Sequence, residues 1–378
     1  MRRLVLLAAV VALALAAAGG AQAGTIPGRY IVVLEDDARP GRVAAAHDRL
    51  GARVLAVYGS ALRGYAARLS AAELAAVRAD DRVAYVEPDR TVSLSTTQTN
   101  PPWGLDRIDQ RSRPLSGTFT YFATGAGVTA YVIDTGIRFS HTQFGGRAVS
   151  GYDAVDGGAA DDCNGHGTHV AGTVGGSTYG VAKGVTLVGV RVLNCRGSGT
   201  TSGVIAGINW VTSHHRPGQP AVANLSLGGG ASTALDNAVR NSIADGVSYA
   251  VAAGNGNFLG IAQNACNFSP ARVGEAMTIS ATDTNDRKAS WANYGNCVDW
   301  FAPGVSITSA WHTSTTATRT ISGTSMATPH TAGVAALYLQ GNPAASPAAV
   351  RSRLFDLSTK NVVTSSSTTN RHLLFTNL

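Results

Sequence analysis

The sequence predicts an α/β fold, a parallel sheet covered by helices on both faces, preceded by a small α+β domain. Three observations predict it. From Trp103 onward apolar runs alternate with helical patterns, the signature of a parallel sheet. Residues 24 to 95 have another texture, with many arginines, no cysteine and the order βαββαβ, which is ferredoxin-like. Between the two lies Thr91 to Thr99, a polar stretch with little to bury that reads as a linker exposed to proteolysis.

The chain opens with Arg2 and Arg3, an apolar run from Leu4 to Ala18 and the small-residue sequence Ala21-Gln22-Ala23. That run is short for a membrane span and carries a cleavage site, so residues 1–23 read as a signal peptide of an exported protein rather than an anchor. In the small domain, Arg29 to Leu34 is strand-like, Val43 to Leu50 helical, Arg53 to Tyr58 and Leu62 to Leu69 strand-like, Ala71 to Arg78 helical and Arg82 to Glu87 strand-like. In residues 96–378 the strands are Val128 to Ile133, Val185 to Leu193, Ala221 to Leu227 and Val247 to Ala253. The helices are Gly167 to Val174, Thr201 to Thr212, Thr233 to Asp245, Ser325 to Gln340 and Ser346 to Leu357.

The 378 residues carry a formal charge of +7, but no Lys/Arg cluster interleaved with aromatics, so the basic excess solvates the surface and a nucleic-acid partner is not expected. No later segment is long and unbroken enough to span a membrane, and a monomer is expected. The four cysteines, Cys163, Cys195, Cys266 and Cys297, are an even number in an oxidising compartment and imply two disulfides. A thiolate metal site is disfavoured, because no C-x2-C spacing exists.

In open α/β sheets ligand groups collect at the carboxyl ends of strands. Asp134 follows Val128 to Ile133 directly, with Thr135-Gly136 behind it. The D-T-G of an aspartic protease would need a second such motif, and there is none. His166 lies in Asn164-Gly-His-Gly-Thr-His169, at the mouth of a small-residue helix that suits a general base. Zinc would need H-E-x-x-H, whereas these histidines are spaced i, i+3; His169 reads as a packing residue. Ser325 sits where a glycine turn feeds an apolar helix, so its hydroxyl lies at a helix N-terminus, where unpaired N–H groups favour an oxyanion. Asn255 closes Tyr249 to Gly254 and offers an amide donor that does not titrate. Together these residues follow the logic of orienter, base and nucleophile. The glycine patterns Gly197 to Gly203 and Gly254 to Gly260 have one residue too many between their last glycines for a dinucleotide fingerprint.

Val132-Ile-Asp-Thr-Gly136, Asn164-Gly-His-Gly-Thr-His169, Ala252-Ala-Gly-Asn255 and Gly323-Thr-Ser-Met-Ala-Thr-Pro329 resemble the four signature blocks of the subtilisin-like serine proteases. The resemblance covers about Pro102 to Leu373, and the order Asp, His, Ser is the subtilisin order. Trp103 to Asp109, Asn224 to Gly230 and the cysteine positions look most like the proteinase K subfamily, particularly aqualysin. Where proteinase K has a cysteine after H-G-T-H, this chain has Val170, so inhibition through a thiol there is not expected.

The resemblance implies a secreted serine endopeptidase in which Ser325 attacks the peptide carbonyl, His166 moves the proton and Asp134 orients the imidazole, with the Ser325 N–H and Asn255 holding the oxyanion. It implies polypeptide substrates added as a strand between Gly197-Ser198-Gly199 and Ser226-Leu227-Gly228. It also implies an open apolar pocket beside Ala252, Gly254 and Leu227, favouring aliphatic and aromatic residues before the scissile bond. The pairing would be Cys163 with Cys195 and Cys266 with Cys297. No cofactor is expected for catalysis, but structural Ca2+ is, at Asp106, Asp109, Gln110, Ser116 and Thr118 and at Gly274, Ala276 and Asp299. Residues 24–95 would be an inhibitor propeptide and intramolecular chaperone, removed autocatalytically to leave a mature chain beginning near Thr96. The chain ends soon after Phe375, so no C-terminal extension of the aqualysin kind is expected. Activity should rise through the ordinary histidine pKa, about 6.5. An esterase would need a G-x-S-x-G elbow, but Ala327 stands at its last glycine; a pseudoenzyme should have lost one of the four site residues.

Overall fold

In the computed structural model, residues 25–90 and 95–378 are described; the expected signal peptide and residues 91–94 of the expected linker lie outside them. The chain divides at residue 95 into two compact units. The first unit follows βαββαβ order: strands Thr25–Leu34, Arg53–Tyr58, Gly64–Arg68 and Val83–Arg90, and helices Pro40–Arg49 and Ala71–Arg78. Its antiparallel sheet places Thr25–Leu34 between Gly64–Arg68 and Val83–Arg90, with Arg53–Tyr58 at the edge. Ser70 and Glu73 form a reciprocal capping box that starts the second helix.

The second unit is built on seven parallel strands: β1 (Thr129–Asp134), β2 (Ala148–Asp153), β3 (Thr186–Arg191), β4 (Ala221–Leu225), β5 (Ser248–Ala252), β6 (Met277–Thr282) and β7 (Trp300–Pro303). Their order is β7-β6-β5-β4-β1-β3-β2. The principal helices are α1 (His166–Gly175), α2 (Thr201–His214), α3 (Thr233–Asp245), α4 (Thr324–Gly341) and α5 (Pro347–Leu357). Side chains alternate across the sheet: Ala130 and Val132 join Val170 and Val174 of α1 and the buried face of α4, whereas Tyr131 and Ile133 pack with Ile208 of α2 and Val239 of α3. Strands covered on both faces read as continuous apolar runs, which is why β1, β3, β4 and β5 were legible.

Edge strand β2 was not predicted, since Ser150 and Gly151 interrupt it and Val149 is exposed. Nor were β6, where Thr and Ser alternate with apolar residues, and the four-residue β7. The linker reading is corrected at its end: Thr96–Thr99 is a strand paired antiparallel with Thr118–Tyr121. Polar threonines suit such a solvent-facing ribbon. Among the described residues no helix is long and apolar enough to cross a membrane.

The strand order brings the carboxyl ends of β3, β1, β4 and β5 side by side where the winding reverses. Ile133, fully buried one residue before Asp134, anchors that end. Ile133→Ala should cost about 2–5 kcal/mol, read as a lower urea midpoint for inhibitor-blocked protein.

Candidate active site

Asp134 is completely buried at the end of β1. Its Oδ1 accepts from Thr135 N at 2.7 Å and bonds His166 Nδ1 at 2.8 Å, while Oδ2 has no partner among the described residues. His166 is the first residue of α1 and keeps 26% of its side chain exposed. Two glycines permit the pairing. A Cβ on Gly167 would lie 2.1 Å from Gly136 O, and one on Gly136, whose φ is +106°, would lie 2.5 Å from Ala160 O. Only backbone without side chains can approach this closely.

Asp162, which the sequence reading did not single out, organises the same corner. Its Oδ1 accepts from Asn164 N, Gly165 N and Thr135 Oγ1, and its Oδ2 from Thr168 N and Oγ1, all within 2.6–2.9 Å. Thr135 Oγ1 in turn accepts from Gly167 N at 2.8 Å. The available signal was an aspartate four residues before a helix-initiating histidine, which can serve the free N–H groups of the first turn.

Burial disfavours the His166 imidazolium, but the Asp134 carboxylate, by charge and hydrogen bond, together with Asp162, more than offsets it and raises the pKa above 6.5. The expected value is thereby corrected upward. His169 is the packing residue expected: its Nε2 bonds Ile307 O and Arg319 O, and burial lowers its pKa to about 4.

Ser325 is the second residue of α4. Its Oγ donates to Ser226 O at 2.9 Å, and Ser226 Oγ donates back to Ser325 O at 2.9 Å, so the end of β4 is pinned to the α4 mouth. In this rotamer the hydroxyl makes no hydrogen bond to His166. The two line adjoining cavities nonetheless. His166 lines a cavity of about 570 Å3 and Ser325 one of about 350 Å3, and the strip Ser226 to Gly230 borders both.

Asn255 Oδ1 accepts from Thr324 N at 2.8 Å and from Thr324 Oγ1 at 2.9 Å. These bonds fix the amide, leaving Nδ2 beside Gly323, where an added Cβ would sit 3.6 Å from it. The Ser325 N–H has no acceptor among the described residues. Two donors unpaired among the described residues, the Ser325 N–H and Asn255 Nδ2, thus lie at the start of α4.

Of the expected substrate edges, Ser198 has its own backbone tied up, its N–H to Asn194 Oδ1 and its O to Asn194 N. Gly199, Leu227 and Gly228 have no backbone hydrogen bond among the described residues, and Gly197 lines the same cavity with them. Leu227, Ala252 and Gly254 line the cavity next to Ser325, joined by Phe268 and Ala271, which the sequence reading missed. Both disulfides, Cys163–Cys195 and Cys266–Cys297, are present. The first ties the loop before His166 to the chain before Gly197.

The two expected calcium places differ in fit. No group of three or more His, Cys, Asp or Glu suited to a metal occurs among the described residues. In the first place both Asp106 oxygens are occupied by Ser116 and Gly117 donors, and Gln110 Oε1 accepts from Ser116 N. Ser116 and Thr118 hydroxyls bond each other. Asp109 Oδ1, however, is buried without a partner among the described residues, and burial, with Asp106 nearby, pushes the Asp109 pKa up to about 6. One orphaned anionic oxygen among these oxygens fits a cation. In the second place Asp299 is already paired with Arg351 at 2.5 Å and with Thr278 N at 2.8 Å. Gly274, Ala276 and Asp299 therefore do not fit a cation, because a guanidinium supplies the positive charge.

A buried carboxylate on an imidazole, a serine in the adjoining cavity and, at the mouth of its helix, two donors unpaired among the described residues are the groups of a hydrolase of the nucleophilic-serine class. Comparison with known proteins gives the family. The model described as "Subtilase family" matches residues 125–372, and that described as "Peptidase inhibitor I9" matches residues 29–95. The extracellular serine proteinase of Thermus sp. (strain Rt41A) is 57% identical over 361 residues, covering 89% of this chain and 86% of that one. The alkaline serine exoprotease A of Vibrio alginolyticus is 52% identical over 330 residues, covering 85% of this chain and 60% of that one. The crystal structure of a cold adapted subtilisin-like serine proteinase has a TM-score of 0.70 at 55% identity, covering 73% of this chain and 98% of that one. The chain belongs to the subtilase family and is a serine-type endopeptidase with an I9 inhibitor propeptide. Its substrates are polypeptides, and subtilases need no catalytic cofactor.

If Asp162 helps hold the imidazolium, Asp162→Asn removes a negative charge, so the His166 pKa falls. The acid limb of kcat/KM should then move to lower pH, measured on a peptidyl anilide.

Proposed function

We propose that Asp134, His166, Ser325 and Asn255 form the catalytic machinery of an exported, self-processing endopeptidase. Ser325 Oγ attacks the scissile carbonyl carbon as its proton passes to His166, and the resulting oxyanion accepts from the Ser325 N–H and Asn255 Nδ2. Collapse returns that proton to the leaving amine and leaves an acyl-enzyme; water, deprotonated by the same imidazole, then releases the acid. Asp134 fixes the imidazole tautomer and stabilises its cation. Attack requires Ser325 Oγ to rotate from Ser226 O toward His166. The observation that carries this reading is the pair of unpaired donors beside Ser325, one aimed by the Thr324 bonds to Asn255.

The peptide adds as a strand along Gly197-Ser198-Gly199 and Ser226-Leu227-Gly228. The backbone of Gly199, Leu227 and Gly228, unpaired among the described residues, supports this edge, and the adjoining cavity beside Ala252, Gly254 and Leu227 supports broad cleavage after apolar or aromatic residues. Residues 1–23 are a signal peptide, 24–95 the inhibitor and folding chaperone, and 96–378 the mature, monomeric protease. Names of relatives such as extracellular serine proteinase support secretion.

Asn255→Ala should lower kcat by on the order of 10²–10³, the size known for the corresponding donor in subtilisin, of the same family. A drop below about tenfold would remove Asn255 from this role. Ser325→Ala should accumulate uncut in a host lacking other proteases, whereas normal processing there would exclude self-cleavage.

A structural calcium ion belongs at Asp106, Asp109, Gln110, Ser116 and Thr118, with Asp109 Oδ1 the free anionic donor. A carboxyl whose folded pKa is raised loses stability as pH climbs through it. Above about pH 6 the ionised Asp109 is therefore the unfavourable state that a cation would relieve. At pH 8 a chelator should lower the melting temperature, and Asp109→Asn should remove that sensitivity; an unchanged wild-type melting curve would exclude the ion.

A further inference from the structure

Apart from Val149 and Val155, the large apolar side chains left exposed in residues 95–378 are Phe258, Leu259 and Ile261, at 94%, 66% and 56%. They share one loop that begins immediately after Asn255. The loop is built. Asn257 Oδ1 accepts from Leu259 N at 2.9 Å and Ile261 N at 3.1 Å, and Asn257 N donates to Ile261 O. At the base Asn293 Oδ1 accepts from both Gly256 N and Gln263 N, while its amide nitrogen donates to Ala253 O. One side chain therefore clamps both ends of the loop to the segment that carries Asn255. Holding such residues in water has no stabilising effect on the fold, and clustered exposed apolar side chains mark interaction sites.

We propose that Phe258 and Leu259, with Ile261 behind them, bind apolar side chains of the polypeptide on the leaving-group side of the scissile bond. The inference rests on the catalytic reading above. The acyl part of the substrate is accounted for by the cavities along Gly197 to Gly199 and Ser226 to Gly230, and Gly256 lines the second of these. The loop leaves that cavity at Gly256, and its Ile261 borders a different cavity of about 700 Å3 with Trp291 and Tyr294. With the acyl part assigned to the first two cavities, the loop that leaves the second at Gly256 and reaches the third is assigned to the chain beyond the scissile bond. Between Asp245 and Arg272 the sequence carries no charge, so the loop itself offers apolar contacts, while Asp283, Arg287 and Lys288 line the cavity behind Ile261.

The test compares mature wild type with F258S/L259S on three substrates sharing one acyl sequence: a p-nitroanilide, a peptide with two leucines after the scissile bond, and one with two serines there. The double variant should hydrolyse the anilide and the serine peptide as wild type does. It should lose about tenfold in kcat/KM on the leucine peptide, mainly through KM, equivalent to about 1.4 kcal/mol. The variant F258L/L259M should restore cleavage of the leucine peptide. Equal losses on all three substrates would make the loop merely structural, and no loss on the leucine peptide would overturn the proposal. So would a wild type that sediments as a dimer and a variant that sediments as a monomer with unchanged kinetics, since a second copy would then be the occupant. Anilide hydrolysis surviving in Ser325→Ala would instead sink the catalytic reading, independently of the loop.

Discussion

Everything at the cleft depends on how closely the mouth of one helix can approach the end of one strand. Gly136 and Gly167 bring the start of α1 onto the turn after β1, and that contact alone allows a buried carboxylate to reach an imidazole still open to solvent. Asp162 makes the contact specific, since it spends both oxygens on N–H and O–H groups that would otherwise be unpaired there. The arrangement also explains why the imidazole is more basic than burial would make it. Two carboxylates outweigh the loss of water.

The serine half of the cleft is held by a different device. Ser226 and Ser325 exchange hydrogen bonds through each other's carbonyls, and Thr324 fixes the Asn255 amide. Strand β4, the segment after β5 and helix α4 are thereby locked together without using either donor beside the hydroxyl. Hydrogen bonds that orient a donor while leaving its N–H free are a form of preorganisation: no reorganisation is needed when charge develops.

Much of this was legible in the sequence for a physical reason. Strands buried on both faces announce themselves as unbroken apolar runs, and Asp134, Asn255 and Ser325 stand at ends of such runs or at a helix start. Edge strand β2 was not legible, because one side faces solvent and its apolar signal is diluted. Asp162 was missed because a carboxylate that organises a turn looks like any loop aspartate until the N–H groups around it are known. The end of the polar stretch before Asn100 read as linker because a threonine ribbon buries little, although Thr96–Thr99 pairs residue by residue with Thr118–Tyr121. The rotamer of Ser325 could not be read at all, being decided by a carbonyl 99 residues away.

Arg351 on α5 meets the buried Asp299 at the edge of the sheet. A counter-ion tethered to the polypeptide has an effective concentration set by the fold, not by the medium. Dilution, sequestration or a shift from hard to soft water cannot strip it from the carboxylate. For a protease that works outside the cell, this corner of the molecule keeps its counter-ion whatever the calcium content of the surrounding water.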